Sequence, residues 1–187
     1  MIVHIKNMVC VRCKMAVQSV LDGLQISFRE IELGRAELNA DLSAQQLKQL
    51  NEALKHYQLE LMDDKKKIMA ERVKVLIIEL FHSPDANLYE RLSDYLSKTL
   101  FYDYTYLANV FSETEGTTIE RFYIESRVER AKELMVYESM TVTEIAYHLN
   151  YSSVSHFSLQ FKKVTGQTPS QFKKLCESPG YVWRTCE

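Results

Sequence analysis

One pattern occurs twice in this chain, and that repeat constrains the fold more than any other feature. The first copy runs Leu92-Ser93-Asp94-Tyr95-Leu96-Ser97-Lys98-Thr99-Leu100, a turn, then Tyr104 to Ser112, and ends Thr114-Glu115-Gly116. The second runs Val142-Thr143-Glu144-Ile145-Ala146-Tyr147-His148-Leu149, a turn, then Ser153 to Val164, and ends Val164-Thr165-Gly166. In each copy the second helix carries apolar anchors four residues apart, Leu107 and Phe111 in one, Phe157 and Phe161 in the other. At the helical period such anchors share one buried face. Two short helices joined by a turn of about three or four residues form the geometry that seats a second helix in a major groove.

The rest of the chain agrees with a helical bulk. Among 187 residues there are only 5 Gly and 3 Pro, so long stretches run without a breaker. With 23 basic and 25 acidic residues the net charge is −2, which excludes a strongly basic nucleic-acid coat but leaves room for a specific binding face. No signal peptide is readable at the start, and the apolar run Val75–Ile78 with Leu80 and Phe81 falls far below the ~20 residues of a membrane span. A soluble, cytoplasmic protein is expected. Four cysteines (Cys10, Cys13, Cys176, Cys186) are too few for a disulfide scaffold, and a close pair points to a metal or redox site.

The first third has a different texture. Ile2–Lys6 alternates apolar and polar, as a strand does. Lys14–Leu24 places Val17, Val20, Leu21 and Leu24 at helical spacing. Ile26–Leu33 alternates again, with Gly34 as a turn and Arg35–Leu38 as hairpin partner. Ser43 is an N-cap for Ala44–Tyr57, and Leu59 and Leu61 make a last strand. The order is β-α-β-β-α-β, the split βαβ, ferredoxin-like arrangement.

Between the first strand and first helix stands Asn7-Met8-Val9-Cys10-Val11-Arg12-Cys13. Cys-x-x-Cys there gathers two sulfurs in one small volume, and the neighbouring helix N-terminus is expected to favour thiolate. Two thiolates with nothing else suit a soft ion such as Cu(I). Zn(II) wants four ligands, and only a second chain or His4 would supply more. Met8 is expected to pack beneath the loop. The region resembles the heavy-metal-associated domain of copper chaperones and P-type metal ATPases, whose loop reads Gly-Met-x-Cys-x-x-Cys, here with Asn7 in place of the Gly. The resemblance implies metal ligation by Cys10 and Cys13 and a position for Tyr57 near the loop. A thioredoxin-type redox site would need a facing proline, and none precedes Pro84.

The second copy of the repeat is the more specific. Thr143-Glu144-Ile145-Ala146, then Phe157-Ser158-x-x-Phe161-Lys162-Lys163-x-x-Gly166-x-Thr168-Pro169-Ser170-x-Phe172-Lys173, resembles the C-terminal signature of the AraC/XylS transcription regulators. Arg127–Met135 is similar to that family's connecting helix, and Glu71–His82 to its opening helix. The resemblance implies an AraC-type double helix-turn-helix that binds double-stranded DNA. It gives as base-reading positions Thr105, Ala108, Asn109 and Ser112 in the first unit. In the second unit it gives Val154, Ser155, Ser158, Leu159 and Lys162; Lys163 and His156, beside them in the same unit, are expected to face backbone phosphate. Asn109 suits adenine, while Val154 and Leu159 suit a thymine methyl.

Two departures stand out. The family's turn glycine is Phe101 in the first copy and Asn150 in the second; Asn tolerates a left-handed backbone, whereas Phe101 implies a different first turn. Asp103, Glu113 and Glu115 flank the first reading helix and would face phosphates unfavourably. Over 88–177 there are 10 basic and 12 acidic residues. Phosphate contacts should then come mostly from Lys162, Lys163, Lys173 and Lys174, with homodimerisation or a metal-induced rearrangement strengthening weak monomer binding.

The expected architecture is therefore α+β. A ferredoxin-like βαββαβ metal sensor (1–64) precedes an all-α, AraC-type DNA-binding domain with its opening helix (65–177) and a loosely packed tail (178–187). The expected function is a bacterial-type, metal-responsive transcription regulator. The alternatives are a metallochaperone or metal buffer whose helical half is a protein-interaction module, and a regulator whose first domain binds no metal. Catalysis is not expected, because no nucleophile–His–acid spacing, phosphate loop or carboxylate pair is readable.

Overall fold

The computed structural model describes residues 1–82 and 91–176; the tail 178–187, with Tyr181, Trp183 and Cys186, lies outside the described residues. Strand β1 (Ile2–Lys6) is followed by α1 (Val11–Gly23), β2 (Phe28–Glu32), β3 (Arg35–Leu38), α2 (Ala44–Lys55) and β4 (Glu60–Met62). Seven helices follow among the described residues: α3 (Lys65–His82), α4 (Leu92–Leu100), α5 (Tyr104–Glu115), α6 (Ile119–Tyr137), α7 (Val142–His148), α8 (Val154–Thr165) and α9 (Pro169–Cys176). None is long and apolar enough to cross a membrane. The chain divides into two compact units, Met1–Ile78 with Leu96–Ile119, and Glu79–Tyr95 with Glu120–Glu187. The divisions fall inside α3 and α4 and at the start of α6.

In the first unit the four strands lie in the order β2-β3-β1-β4, each neighbouring pair antiparallel. Val3 and Ile5 point from central β1 into a core closed by Val17, Val20 and Leu21 of α1 and by Leu50 and Leu54 of α2. Ser43 caps α2 reciprocally: its hydroxyl accepts from the Gln46 N–H, and the Gln46 side chain accepts from the Ser43 N–H. The helix stops two residues before the expected Tyr57, as Gln58 turns left-handed at φ 60°.

Strand β2 departs from the simple alternation read in sequence. A bulge between Phe28 and Glu30 leaves Arg29 unpaired, so Phe28 opposes Leu38 and Ile31 opposes Ala36. Phe28 and Ile31 therefore both reach the core, although three residues apart.

Helix α3 starts on Asp64, whose carboxylate accepts from the Lys66 N–H at 2.8 Å. It buries Ala70, Val73, Val75 and Ile77, and with them the charged Glu71 and Lys74. Gly34, in the β2–β3 turn at φ 76°, comes so close to α3 that a Cβ there would stand 3.3 Å from Val75.

The two helix-turn-helix turns are built alike, which corrects the expectation for the first. Phe101 adopts φ 59° and Asn150 φ 54°, the same left-handed turn. The Phe101 N–H still closes α4 on the Ser97 carbonyl, and the ring projects outward, 90% exposed, where the turn imposes no steric limit on it.

In the second unit Arg127 of α6 fastens the second turn. Its guanidinium donates through Nε (2.9 Å) and Nη2 to the Leu149 carbonyl and lies 3.6 Å from the Tyr151 ring centroid. Burial pushes the Tyr151 phenol up to about 12, against the pull of Arg127. The phenol stays protonated and donates to Gln160 Oε1 at 2.7 Å. Tyr151, Phe157, Phe161 and Phe172 then continue as an aromatic ladder with centroids 5.0 to 5.7 Å apart. The caps of α7 (Thr141 with Glu144) and α9 (Thr168 with Gln171) are both reciprocal.

A left-handed non-glycine residue costs roughly 1–2 kcal/mol. Phe101→Gly should therefore raise the unfolding free energy of the full chain by about 1 kcal/mol in urea denaturation. A loss of stability would show instead that the phenyl ring has a partner in solution. Arg127→Lys keeps the charge but loses the forked donors and the stacking plane, and should cost about 2 kcal/mol. Amide exchange over 149–153 should accelerate with it; unchanged exchange there would remove Arg127 from the turn.

Candidate nucleic-acid interface and thiol loop

Cys10 sits at the N-cap of α1 in extended conformation (φ −150°) and Cys13 in the first turn. That step of three residues brings the sulfurs within 3.3 Å of one another, both half-buried. Asn7 occupies φ 65°, which explains why Asn can replace Gly in this loop. Its carbonyl faces Cys13 Sγ at 3.8 Å, and its Nδ2 donates to the Gln58 carbonyl at 3.1 Å. Met8 is fully buried beneath the loop.

The electrostatics of Cys13 run opposite to the sequence expectation. Burial pushes its thiol up, and the hydrogen bond with Cys10 adds to that rise. Backbone hydrogen bonds at Val9 and Cys10 pull down but do not outweigh them. Among the described residues no three His, Cys, Asp or Glu side chains gather as a metal cluster. His4 stands apart from the thiols; burial first, then Arg72 and Arg35, hold its imidazole below the ordinary range. The donor set is thus two thiols, which fits a soft, low-coordinate ion and does not fit tetrahedral zinc within one chain.

Helix α5 is capped by Asp103, whose Oδ1 accepts from the Thr105 N–H at 2.8 Å, and ends at Gly116 with φ 68°. Leu107, Val110 and Phe111 turn inward. Thr105, Asn109 and Ser112 are exposed and Ala108 half-buried, so the four named positions form one outward stripe. The flanking acids are occupied. Glu113 pairs with Lys66 at 2.8 Å and Glu115 with Lys74 at 3.2 Å, while Asp103 serves the cap.

Sequence reasoning missed two aromatic neighbours of this stripe. Tyr102 and Tyr106 stack with centroids 5.2 Å apart, both substantially exposed. Tyr106 lies three residues before Asn109, so helical spacing would have placed it on the same open side.

Helix α8 starts on Ser153, whose hydroxyl accepts from the His156 N–H at 3.0 Å. Phe157 and Phe161 are fully buried. Ser155, Leu159, Lys162 and Lys163 are exposed, with Val154 and Ser158 half-buried beside them. Leu159 is 72% exposed. His156 Nδ1 meets Ser152 Oγ at 3.0 Å. Lys173 is engaged elsewhere: its Nζ donates to the Met140 carbonyl at 3.0 Å. The half-buried Cys176 ends α9.

Comparison with known proteins places this architecture. Residues 96–175 match a family model described as a helix-turn-helix domain. An HTH-type transcriptional regulator of Staphylococcus aureus is 34% identical over 96 residues, covering 51% of this chain and 12% of that protein. Another, from Pseudoalteromonas carrageenovora, is 38% identical over 74 residues, covering 40% of this chain and 43% of that protein. The chain thus spans less than half the length of either relative. Among solved structures, a transcriptional regulator from Chromobacterium violaceum titled as having an AraC-type DNA-binding domain superposes with a TM-score of 0.52 at 20% identity, covering 60% of this chain and 95% of that one. The C-terminal domain of AraT, a response regulator from Geobacillus stearothermophilus, gives 0.51 at 22% identity, covering 65% and 97%. Residues 96–175 of this chain thus match a helix-turn-helix domain, and the helical part shares the fold of these two solved structures.

Proposed function

We propose that the chain is a sequence-specific DNA-binding transcription regulator whose reading surfaces are the outward stripes of α5 and α8. The carrying observation is that two helices of one repeated pattern each leave positions i, i+3, i+4 and i+7 on an outward face, exposed or half-buried and none in the core. These are Thr105, Ala108, Asn109 and Ser112 on α5, and Ser155, Ser158, Leu159 and Lys162 on α8. Asn109 offers the amide pair that adenine accepts, and Leu159 an apolar surface for a thymine methyl. Lys162 and Lys163 stand in the last turn of α8 and supply phosphate contacts.

The first four strands and two helices read as a ferredoxin-like sensor, supported by the sheet order β2-β3-β1-β4. Cys10 and Cys13 would hold a soft ion of the Cu(I) kind. Such an ion, when bound, supplies a positive charge and a bond to each sulfur in place of the thiol proton. The chain's own part is to present both sulfurs on one helix start and to keep them half-covered.

A second reading, a metallochaperone or metal buffer with a helical interaction module, draws on the acidic balance of 88–177. The experiment that separates the two is selection of bound duplexes from a random DNA pool by the full chain. Enrichment of a motif is expected, and no enrichment would favour the second reading. On the enriched site, Lys162→Ala and Lys163→Ala should each weaken binding and lower the slope of log K against log salt by ~1. Asn109→Ala should relax preference at one A·T pair by about 1–3 kcal/mol. An anaerobic Cu(I) titration with a competing chelator should give one equivalent bound, lost in Cys10→Ser/Cys13→Ser; binding equal in both proteins would dismiss the sensor assignment.

A further inference from the structure

Glu71 and Lys74 are the charged residues buried among the described residues, 2% and 7% exposed, and both stand on α3. Neither is explained by the DNA-facing stripes or by the thiol pair taken separately. Their contacts form a continuous line between the two. Cys13 Sγ donates to the Asn7 carbonyl at 3.8 Å, and the Asn7 N–H donates to Glu71 Oε1 at 2.7 Å. Glu71 Oε2 meets Lys74 Nζ at 2.6 Å, and the same ammonium meets Glu115 Oε2 at 3.2 Å. Glu115 is the last residue of α5, the helix that carries Thr105, Asn109 and Ser112.

We propose that Lys74, held between Glu71 and Glu115, is a positioning residue that couples the Cys10–Cys13 loop to the C-terminal end of α5. The physical ground is the burial. An ammonium shut away from water must keep its carboxylates, because a buried charge that loses its partner has no solvent to replace it. Asn7 at φ 65° is fixed from three sides, through its N–H, its carbonyl and its side chain, so a change at Cys13 cannot be absorbed by the loop alone. When Cys13 bonds to an incoming ligand its proton leaves to solvent and its donation to Asn7 ends. The Asn7 peptide then shifts against Glu71, and Glu71 against the ammonium. A buried network of this kind transmits such a shift because each member is held by its neighbours.

A second α3–α5 link supplies the contrast. Lys66 and Glu113 also pair, at 2.8 Å, but both side chains are more than half exposed and reach no part of the loop. Exposed pairs of this kind hold little.

The test uses the reduced full chain and iodoacetamide, which the thiolate attacks at carbon, forming the S–C bond and releasing iodide. Rates at Cys13 and Cys176 are resolved by peptide mass spectrometry. Glu115→Gln, at the rim of the network, is the deciding variant; Lys74→Met is the stronger one and Lys66→Gln the control. The ratio of Cys13 to Cys176 rates should change about fivefold or more in Glu115→Gln and in folded Lys74→Met, and less than about twofold in Lys66→Gln, a coupling of the usual size between sites. Cys176 reports general loosening, which moves both thiols together and leaves the ratio alone. An unchanged ratio in folded Glu115→Gln overturns the proposal, as does an equal change in Lys66→Gln. The DNA-binding reading is separable. A retained duplex should alter the Cys13 rate in wild type and not in Glu115→Gln, whereas failure to retain any duplex, with the Glu115→Gln ratio still shifted, counts against DNA binding alone.

Discussion

A lysine ammonium enclosed on α3 sets conditions that the rest of the first unit has to meet. Desolvation makes Lys74 costly unless carboxylates neutralise it where it stands, and Glu71 and Glu115 do so from α3 and α5. Glu71 is then fixed, and its other oxygen is available to one donor, the Asn7 N–H. That amide belongs to a left-handed residue at the end of β1, where no sheet partner could take it. The β2–β3 turn adds a steric condition, because a Cβ on Gly34 would stand 3.3 Å from the Val75 side chain, a tight contact at a left-handed backbone position. Sheet, thiol loop and α5 are thus all referred to one face of α3. An apolar substitute for the pair would pack as well but would not define those positions so narrowly.

The second unit solves a similar problem with other chemistry. Arg127 is also a largely buried cation, but no carboxylate pairs with it among the described contacts. A backbone carbonyl and an aromatic face stabilise it instead. This choice suits its position. The Leu149 carbonyl lies at the end of α7, where helix carbonyls lack intrahelical donors. The left-handed Asn150 that follows leaves that carbonyl open to the guanidinium. One residue therefore closes a helix, sets a turn and orders Tyr151, whose phenol in turn holds Gln160 on the inner side of α8.

What was legible in the sequence, and what was not, divides along a physical line. Elements fixed by local chemistry were readable: β3 from Gly34 and its alternation, α2 from Ser43, α8 from Ser153 and the Phe157/Phe161 pair. The outward stripes came from the family resemblance, and the buried anchors Leu107, Phe111, Phe157 and Phe161 agree with them by leaving the opposite face open. Features decided by tertiary context were not readable. The bulge at Arg29 shifts a whole face, yet nothing in Phe28–Glu32 marks it. Phe101 seemed unfit for a left-handed turn because a propensity averages over contexts, and here the ring had open space. The Cys13 thiol was assigned by its helix N-terminus, while burial proved the larger effect. Nothing in the sequence singles out Glu71 and Lys74, because their partners Asn7 and Glu115 lie 64 and 41 residues away in the chain.

The same blindness to pairing affects any judgement of charge. Counted along the chain, Asp103, Glu113 and Glu115 make the first reading helix look hostile to phosphate. In the fold the first serves a cap and the other two face lysines of α3, so their fields are largely cancelled close by. Lys173, counted as a phosphate contact, is committed to the Met140 carbonyl. The effective surface is therefore less acidic on α5, and less basic beyond α8, than composition implies. The outward faces of α5 and α8 come out as chemically distinct: α5 with small polar groups and a stacked tyrosine pair, α8 with an exposed leucine and two lysines in its last turn. On the DNA-binding reading proposed above, a duplex would be read unevenly, with α8 carrying the electrostatic attraction and α5 deciding by fit. A helix that contributes by fit is also the one whose contribution a small displacement can remove, and α5 is the helix whose end is tied to Lys74.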